Sequence, residues 1–185
     1  MERVDLINRI IRECINESFD SLIDTEYDTI NGGNIIIYRF KTNSDNHYDL
    51  EFINSIEKGT NKLSNGLTLG DYLTDDNIIT TDIAFVPSEI NIDDRDNHEL
   101  YTKETNRGEQ IELMGRISYL VKEYIRNNPN ENVFVIGKNT KQTKLNIYVN
   151  MFYNMFDDDY TKVEGENFGY DDGSFYFIDK KVLKI

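Results

Sequence analysis

Apolar side chains recur at three- and four-residue intervals from Glu2 to about Ile23, where Val4, Ile7, Ile11, Cys14, Ile15, Phe19 and Leu22 are separated by Glu, Arg and Asn. That spacing predicts an amphipathic helix with one oily face. Residues 24–33 break the period, and Asn31-Gly32-Gly33 is a turn signal. From Asn34 to Lys41 the pattern changes: Ile36, Tyr38 and Phe40 alternate with Ile35, Ile37 and Arg39, as in a strand covered on both sides along part of its length. After the polar stretch Thr42 to Asn46, Tyr48, Leu50 and Phe52 alternate with His47, Asp49 and Glu51, the period of a half-exposed strand. The two runs predict a hairpin.

Residues 54–77 are rich in Gly, Asn, Asp, Ser and Thr, and read as a long excursion with one helical turn, anchored by Leu63, Leu67, Leu69, Tyr72 and Leu73. Strand character returns from Ile78 to Val86, and Pro87, which has no amide hydrogen for a sheet ladder, stops it. A second excursion, Ser88 to Asn106, exceeds an ordinary connection and is a candidate binding loop. A helix is then predicted from Arg107 to about Asn127, with Ile111, Met114, Ile117, Leu120, Val121 and Tyr124 on one stripe. Val133 to Ile136 reads as a short buried strand, and a second helix from about Lys141 to Phe156 presents Leu145, Tyr148, Val149, Phe152 and Phe156. Val163 and Ser174 to Ile178 suggest a closing pair of strands. These elements predict an α/β (α+β) fold, a mixed central sheet flanked by helices. An N-terminal amphipathic helix over 1–24 precedes a single domain over 25–185, with long loops at 54–77 and 88–106.

Charge narrows the partners. The chain has 34 acidic against 20 basic residues, a formal net charge of −14. This argues against binding nucleic acid directly, or anionic lipid, and favours cationic protein surfaces. Its single cysteine, Cys14, excludes an intrachain disulfide framework and a Cys-rich zinc site. No apolar run approaches about 18 residues and charges interrupt the first ten, so neither a membrane span nor a signal peptide is expected.

Candidate chemistry is sparse. His47 and His98 have no metal-pair or triad spacing. The acidic groups Asp93-Asp94-Asp96, Asp157-Asp158-Asp159 and Asp171-Asp172 offer oxygens suited to hard cations, but none has the glycine and distant glutamate of a calcium loop. Ser18, Ser118 and Lys138 have no evident activating partner. Arg107-Gly108-Glu109 places a glycine at a helix mouth, where backbone amides and the dipole favour a phosphate, yet Glu104 and Glu109 oppose that charge. The reading therefore assigns no catalytic residue, no cofactor and no metal.

Two resemblances bear on function. The order hairpin, third strand, long helix, short strand, helix and terminal strand pair, over about Asn34 to Lys181, resembles the Gcn5-related N-acetyltransferase fold. Within it Thr105-Asn106-Arg107-Gly108-Glu109-Gln110 falls where that family binds the acyl-CoA pyrophosphate, and Asn139 to Tyr148 falls at its second helix, bearing Asn and Tyr. The resemblance implies an acyl-CoA-dependent acyltransferase, with Arg107 and Gly108 near the pyrophosphate and Tyr148 as general acid. The glycine-rich signature is incomplete, so acetyl-CoA is expected to bind weakly. The segments Asn132-Val133-Phe134-Val135-Ile136 and Lys144-Leu145-Asn146-Ile147-Tyr148, with the bias towards Asn, Asp, Ile, Lys and Tyr, are similar to small virion proteins of tailed bacteriophages, especially crAss-like ones. That resemblance implies a non-enzymatic neck, tail or capsid-associated subunit, a homo-oligomer contacting other virion proteins and assembled in host cytoplasm. The favoured expectation from sequence is this assembly role. Its candidate interface is Ile7, Ile11, Cys14 and Ile15 on the N-terminal helix with Asp93, Asp94, Arg95 and Asp96 in the second long loop.

Overall fold

Seven strands in the order β1-β2-β3-β4-β5-β7-β6 form the sheet in the computed structural model of the chain. The residues it describes are 23–30, 33–57, 63, 65–73, 78–88, 110–137, 156, 158–165 and 174–184. In chain order the elements are β1 (Ile23–Ile30), β2 (Gly33–Lys41), β3 (His47–Glu57), a one-turn helix α1 (Leu69–Tyr72) and β4 (Ile78–Pro87). They continue with α2 (Gln110–Asn127), β5 (Val133–Gly137), β6 (Tyr160–Gly165), β7 (Ser174–Asp179) and a 3₁₀ turn, Lys180–Val182. The mixed sheet and few helices make this an α+β fold. No described helix is long and apolar enough to cross a membrane.

The four strands β1 to β4 pair antiparallel in succession, and β5, β7 and β6 form a second antiparallel block. The predicted runs near 34–41, 47–53, 78–86 and 132–137 are thus consecutive neighbours. Two boundaries differ: β3 runs on to Glu57, so the first four residues of the stretch 54–77 expected to be a loop pair with β4 instead, and β1 begins at Ile23, where the helical period was expected to end. The strand carries Thr25, Tyr27, Thr29 and Ile30, β-branched and aromatic types that suit a pleated surface. Its register with β2, Ile30↔Gly33, leaves only Asn31 and Gly32 as the link, so the turn signal joins two strands instead of merely preceding one. Residues 1–22, 89–109 and 138–155 lie outside the described residues, and with them the predicted N-terminal helix, most of the second long loop and all but the end of the second helix.

Alternation along the strands gives the sheet two apolar sides. On the helix side, Phe40, Tyr48, Leu50, Phe52, Ile83, Phe134, Ile136, Phe175 and Phe177 pack with Leu113, Ile117, Leu120, Val121 and Tyr124 of α2. Phe156 joins this side, stacked on Phe177 with centroids 4.4 Å apart. On the opposite side Val133, Val135, Tyr176 and Ile178 are covered by Leu63, Leu69 and Leu73, with Val182 and Leu183 of the tail against them. The Thr68 N–H and hydroxyl both donate to Asp71 at the start of α1, at 2.7 and 2.8 Å. Lys184 straps the tail to that helix: its N–H donates to the Tyr72 carbonyl at 2.7 Å and its Nζ to that of Gly70 at 2.6 Å.

Candidate ligand site at the parted strands

Among the described residues one pair of neighbours in the sheet, β4 and β5, is parallel, and its ladder is short: Thr80↔Val133, Thr81↔Phe134 and Asp82↔Val135. Beyond Asp82, β4 runs on from Ile83 to Pro87 beside β3, while Ile136 and Gly137 of β5 continue beside β7. Among the described residues the two strands make no further ladder pairs with each other; the ladder ends at Asp82 and Val135, two residues before the end of β5. In open sheets with parallel strands, ligands bind at the carboxyl ends of the strands. Alternate residues of a strand turn N–H and C=O towards each side, so the free edge offers donors and acceptors to an extended, amide-bearing molecule.

The start of α2 lies against the turn between β2 and β3. Glu112 in its first turn accepts from the Asn43 N–H at 2.8 Å, in the turn that leads into β3 opposite the end of β4. Arg116, one helical turn on, donates to the same carboxylate oxygen from Nε at 3.1 Å and Nη2 at 2.9 Å. A helix N-terminus favours anionic groups. Glu112 complements the same dipole and is neutralised by Arg116.

Opposite the helix, carboxylates gather beside the gap. Asp82 is the last paired residue before the strands part, and Glu51, across from Ala84, and Asp49, across from Val86, share its side of the sheet. Asp49 is buried and fully engaged: Arg39 reaches its two oxygens from Nε at 3.0 Å and Nη2 at 3.2 Å, and the Ser88 hydroxyl donates to it. Its role is to anchor the chain as it leaves β4. Asp82 is half-buried at the last pair of the parallel ladder.

The closed end of the parallel pair is held by a polar cluster. Glu131, just before β5, accepts from Asn54 Nδ2 at 2.9 Å, Thr81 Oγ1 at 2.7 Å and the Tyr124 hydroxyl at 3.0 Å. Asn54 Nδ2 also donates to the Tyr124 oxygen at 3.2 Å. The Tyr124 ring stacks on Phe52 at 3.7 Å with planes 1° apart. Burial, with the Glu131 carboxylate beside it, pushes the Tyr124 phenol well above its ordinary range, against the hydrogen bond from Asn54.

The residues singled out from sequence for an interface, Ile7, Ile11, Cys14, Ile15, Asp93, Asp94, Arg95 and Asp96, lie outside the described residues. So do Glu104, Arg107, Gly108, Glu109 and Tyr148, as well as His98, Ser18 and Lys138; Gln110 opens α2. Ser118 is buried on α2, His47 is exposed, and Asp158 and Asp159 are exposed. Among the described residues no three His, Cys, Asp or Glu side chains converge on a possible metal position. Sequence reasoning missed Asp82 and the Glu131 cluster. Tyr124 figured only in an apolar stripe, and nothing local ties Asn54 to Glu131. Set against protein families, curated proteins and solved structures, the chain matches none.

Proposed function

We propose that the chain binds an acyl-CoA between β4 and β5 and transfers the acyl group to an amine, as an N-acyltransferase of the Gcn5-related type. The observation that carries this reading is the parallel pairing of β4 and β5 among the described residues, the two strands being joined in chain order through the long helix α2. Of the element order on which the resemblance rests, the hairpin, third strand, long helix, short strand and terminal pair occur in that succession among the described residues, while the second helix, between the short strand and the terminal pair, falls outside them. A pantetheine arm has two amides and an extended shape, which suits a free strand edge. Its pyrophosphate belongs at the helix start, with Arg107 and Gly108. The amine nitrogen attacks the thioester carbonyl, a C–N bond forms, the C–S bond breaks, and Asp82 takes the amine proton. Glu104 and Glu109 lower the affinity by repelling phosphate without removing the strand edge. Titration calorimetry tests this: saturable 1:1 binding of acetyl-CoA in the micromolar range, weakened by Arg107→Glu, is expected. No heat up to millimolar ligand would sink the reading.

A second reading, a subunit of a tailed-phage virion, is favoured by exposed apolar surface. Ile56 and Ile79, directly paired on β3 and β4, are 75% and 45% exposed, and the chain's charge of −14 suits a cationic protein neighbour. On this reading the N-terminal helix, through Ile7, Ile11, Cys14 and Ile15, docks on another chain, and the protein is found in the virion. Replacing Ile7 and Ile11 with Asp is then expected to abolish co-sedimentation with particles while thermal stability changes little. Normal assembly of that double variant would count against it.

A further inference from the structure

We propose that Glu131, with Asn54, Thr81 and Tyr124, is a positioning clasp that holds β4 in register with β5; its effect on ligand affinity rests on the reading of this parallel pair as the ligand site. The sheet consists of two antiparallel blocks, β1 to β4 and β5 to β7, joined through a parallel ladder of three residue pairs. So short a ladder is a weak seam, because each block is held internally by longer antiparallel pairing. The clasp crosses this seam. Asn54 belongs to β3 and Thr81 to β4, both in the first block, Tyr124 to α2, and Glu131 to the chain entering β5 in the second. One carboxylate is the shared acceptor for all three donors, at 2.9, 2.7 and 3.0 Å.

The geometry assigns the donors different weights. Thr81 has a single hydroxyl proton and two acceptors in reach, Glu131 Oε2 at 2.7 Å and Asn54 Oδ1 at 2.9 Å. The charged acceptor forms the stronger bond. Thr81 is also inside the parallel ladder, opposite Phe134, so its tie to Glu131 holds β4 against the root of β5 directly. With this end pinned, the ladder from Thr80 to Asp82 keeps its register against Val133 to Val135; with it released, the two blocks can shift along the seam.

Amide hydrogen exchange on the full chain, for wild type, Glu131→Ala, Glu131→Gln and Thr81→Val, tests the clasp. In Glu131→Ala those amides of Thr80 to Asp82 and Val133 to Val135 that point across the seam are expected to exchange at least about tenfold faster, with those that point into β3 or β7 and the β2–β3 ladder unchanged. Glu131→Gln, which keeps an acceptor, falls between, and Thr81→Val acts at the same amides. Acetyl-CoA affinity falls by about tenfold in Glu131→Ala, since a free edge must be placed before it can bind. Unchanged exchange at the seam, or equal acceleration in every ladder, overturns the proposal by making the cluster a general stabiliser. Should Glu131→Ala not fold, the other two variants decide on the same amides. Should wild type not bind acetyl-CoA, the ligand-site reading falls while the exchange comparison still decides the clasp.

Discussion

Tyr124 shows how one side chain serves two purposes. Its ring adds stacked area to the core against Phe52, and its hydroxyl gives Glu131 a donor. Tyr124→Phe keeps the ring and strands part of the hydrogen-bonding capacity of Glu131 and Asn54, so a loss of about 1–3 kcal/mol in denaturant unfolding is expected. The same residue sets a pH dependence. Burial raises the phenol above its ordinary value of 10.0, so the folded state holds the proton where the unfolded chain releases it. Stability from this group is therefore complete below about pH 10 and is lost as pH rises further. Unfolding curves taken at pH 7 and at about pH 11 should show a smaller alkaline loss in Tyr124→Phe than in wild type. An equal loss in both would assign the alkaline effect to other tyrosines.

At the level of elements, most of the sheet was legible because its strands alternate locally. β2, β3, β4, β5 and β7 follow from period-two or short apolar runs, and α2 from its stripe. β1 was not, since the oily helical period before it ran into Ile23 and its Thr, Glu and Asp positions give little apolar alternation. The gap was not legible either: where β4 leaves β5 depends on pairing between segments about fifty residues apart, to which no local pattern speaks. Asp82 for that reason looked like an ordinary polar position in a strand. Gly165 marks another feature set by packing between elements. A Cβ there would lie 2.4 Å from Tyr176 Cε2 and 2.9 Å from Ser174 Oγ, where β6, β7 and the Leu63 bridge meet. Gly165→Ala is expected to cost about 1–3 kcal/mol by overpacking, measured by thermal or denaturant unfolding. Pairing it with Tyr176→Leu, which withdraws the ring, should recover part of that loss.

For the molecule as a whole, the account turns on two antiparallel blocks that share a core on the helix side and separate at one end of their seam. The chain carries an excess of acidic residues, and Asp82 ends the parallel ladder on the side of the sheet away from α2, where the proposed reading places an amine co-substrate. The most direct test is to follow backbone amide resonances of the isotopically labelled full chain while acetyl-CoA is added. The account expects saturable shifts concentrated at Ile83 to Val86, Ile136, Gly137 and the first turn of α2, with the outer strands β1 and β6 unmoved. Saturable shifts confined to β1, β6 or the paired Ile56 and Ile79, or no shifts at millimolar ligand, would contradict it.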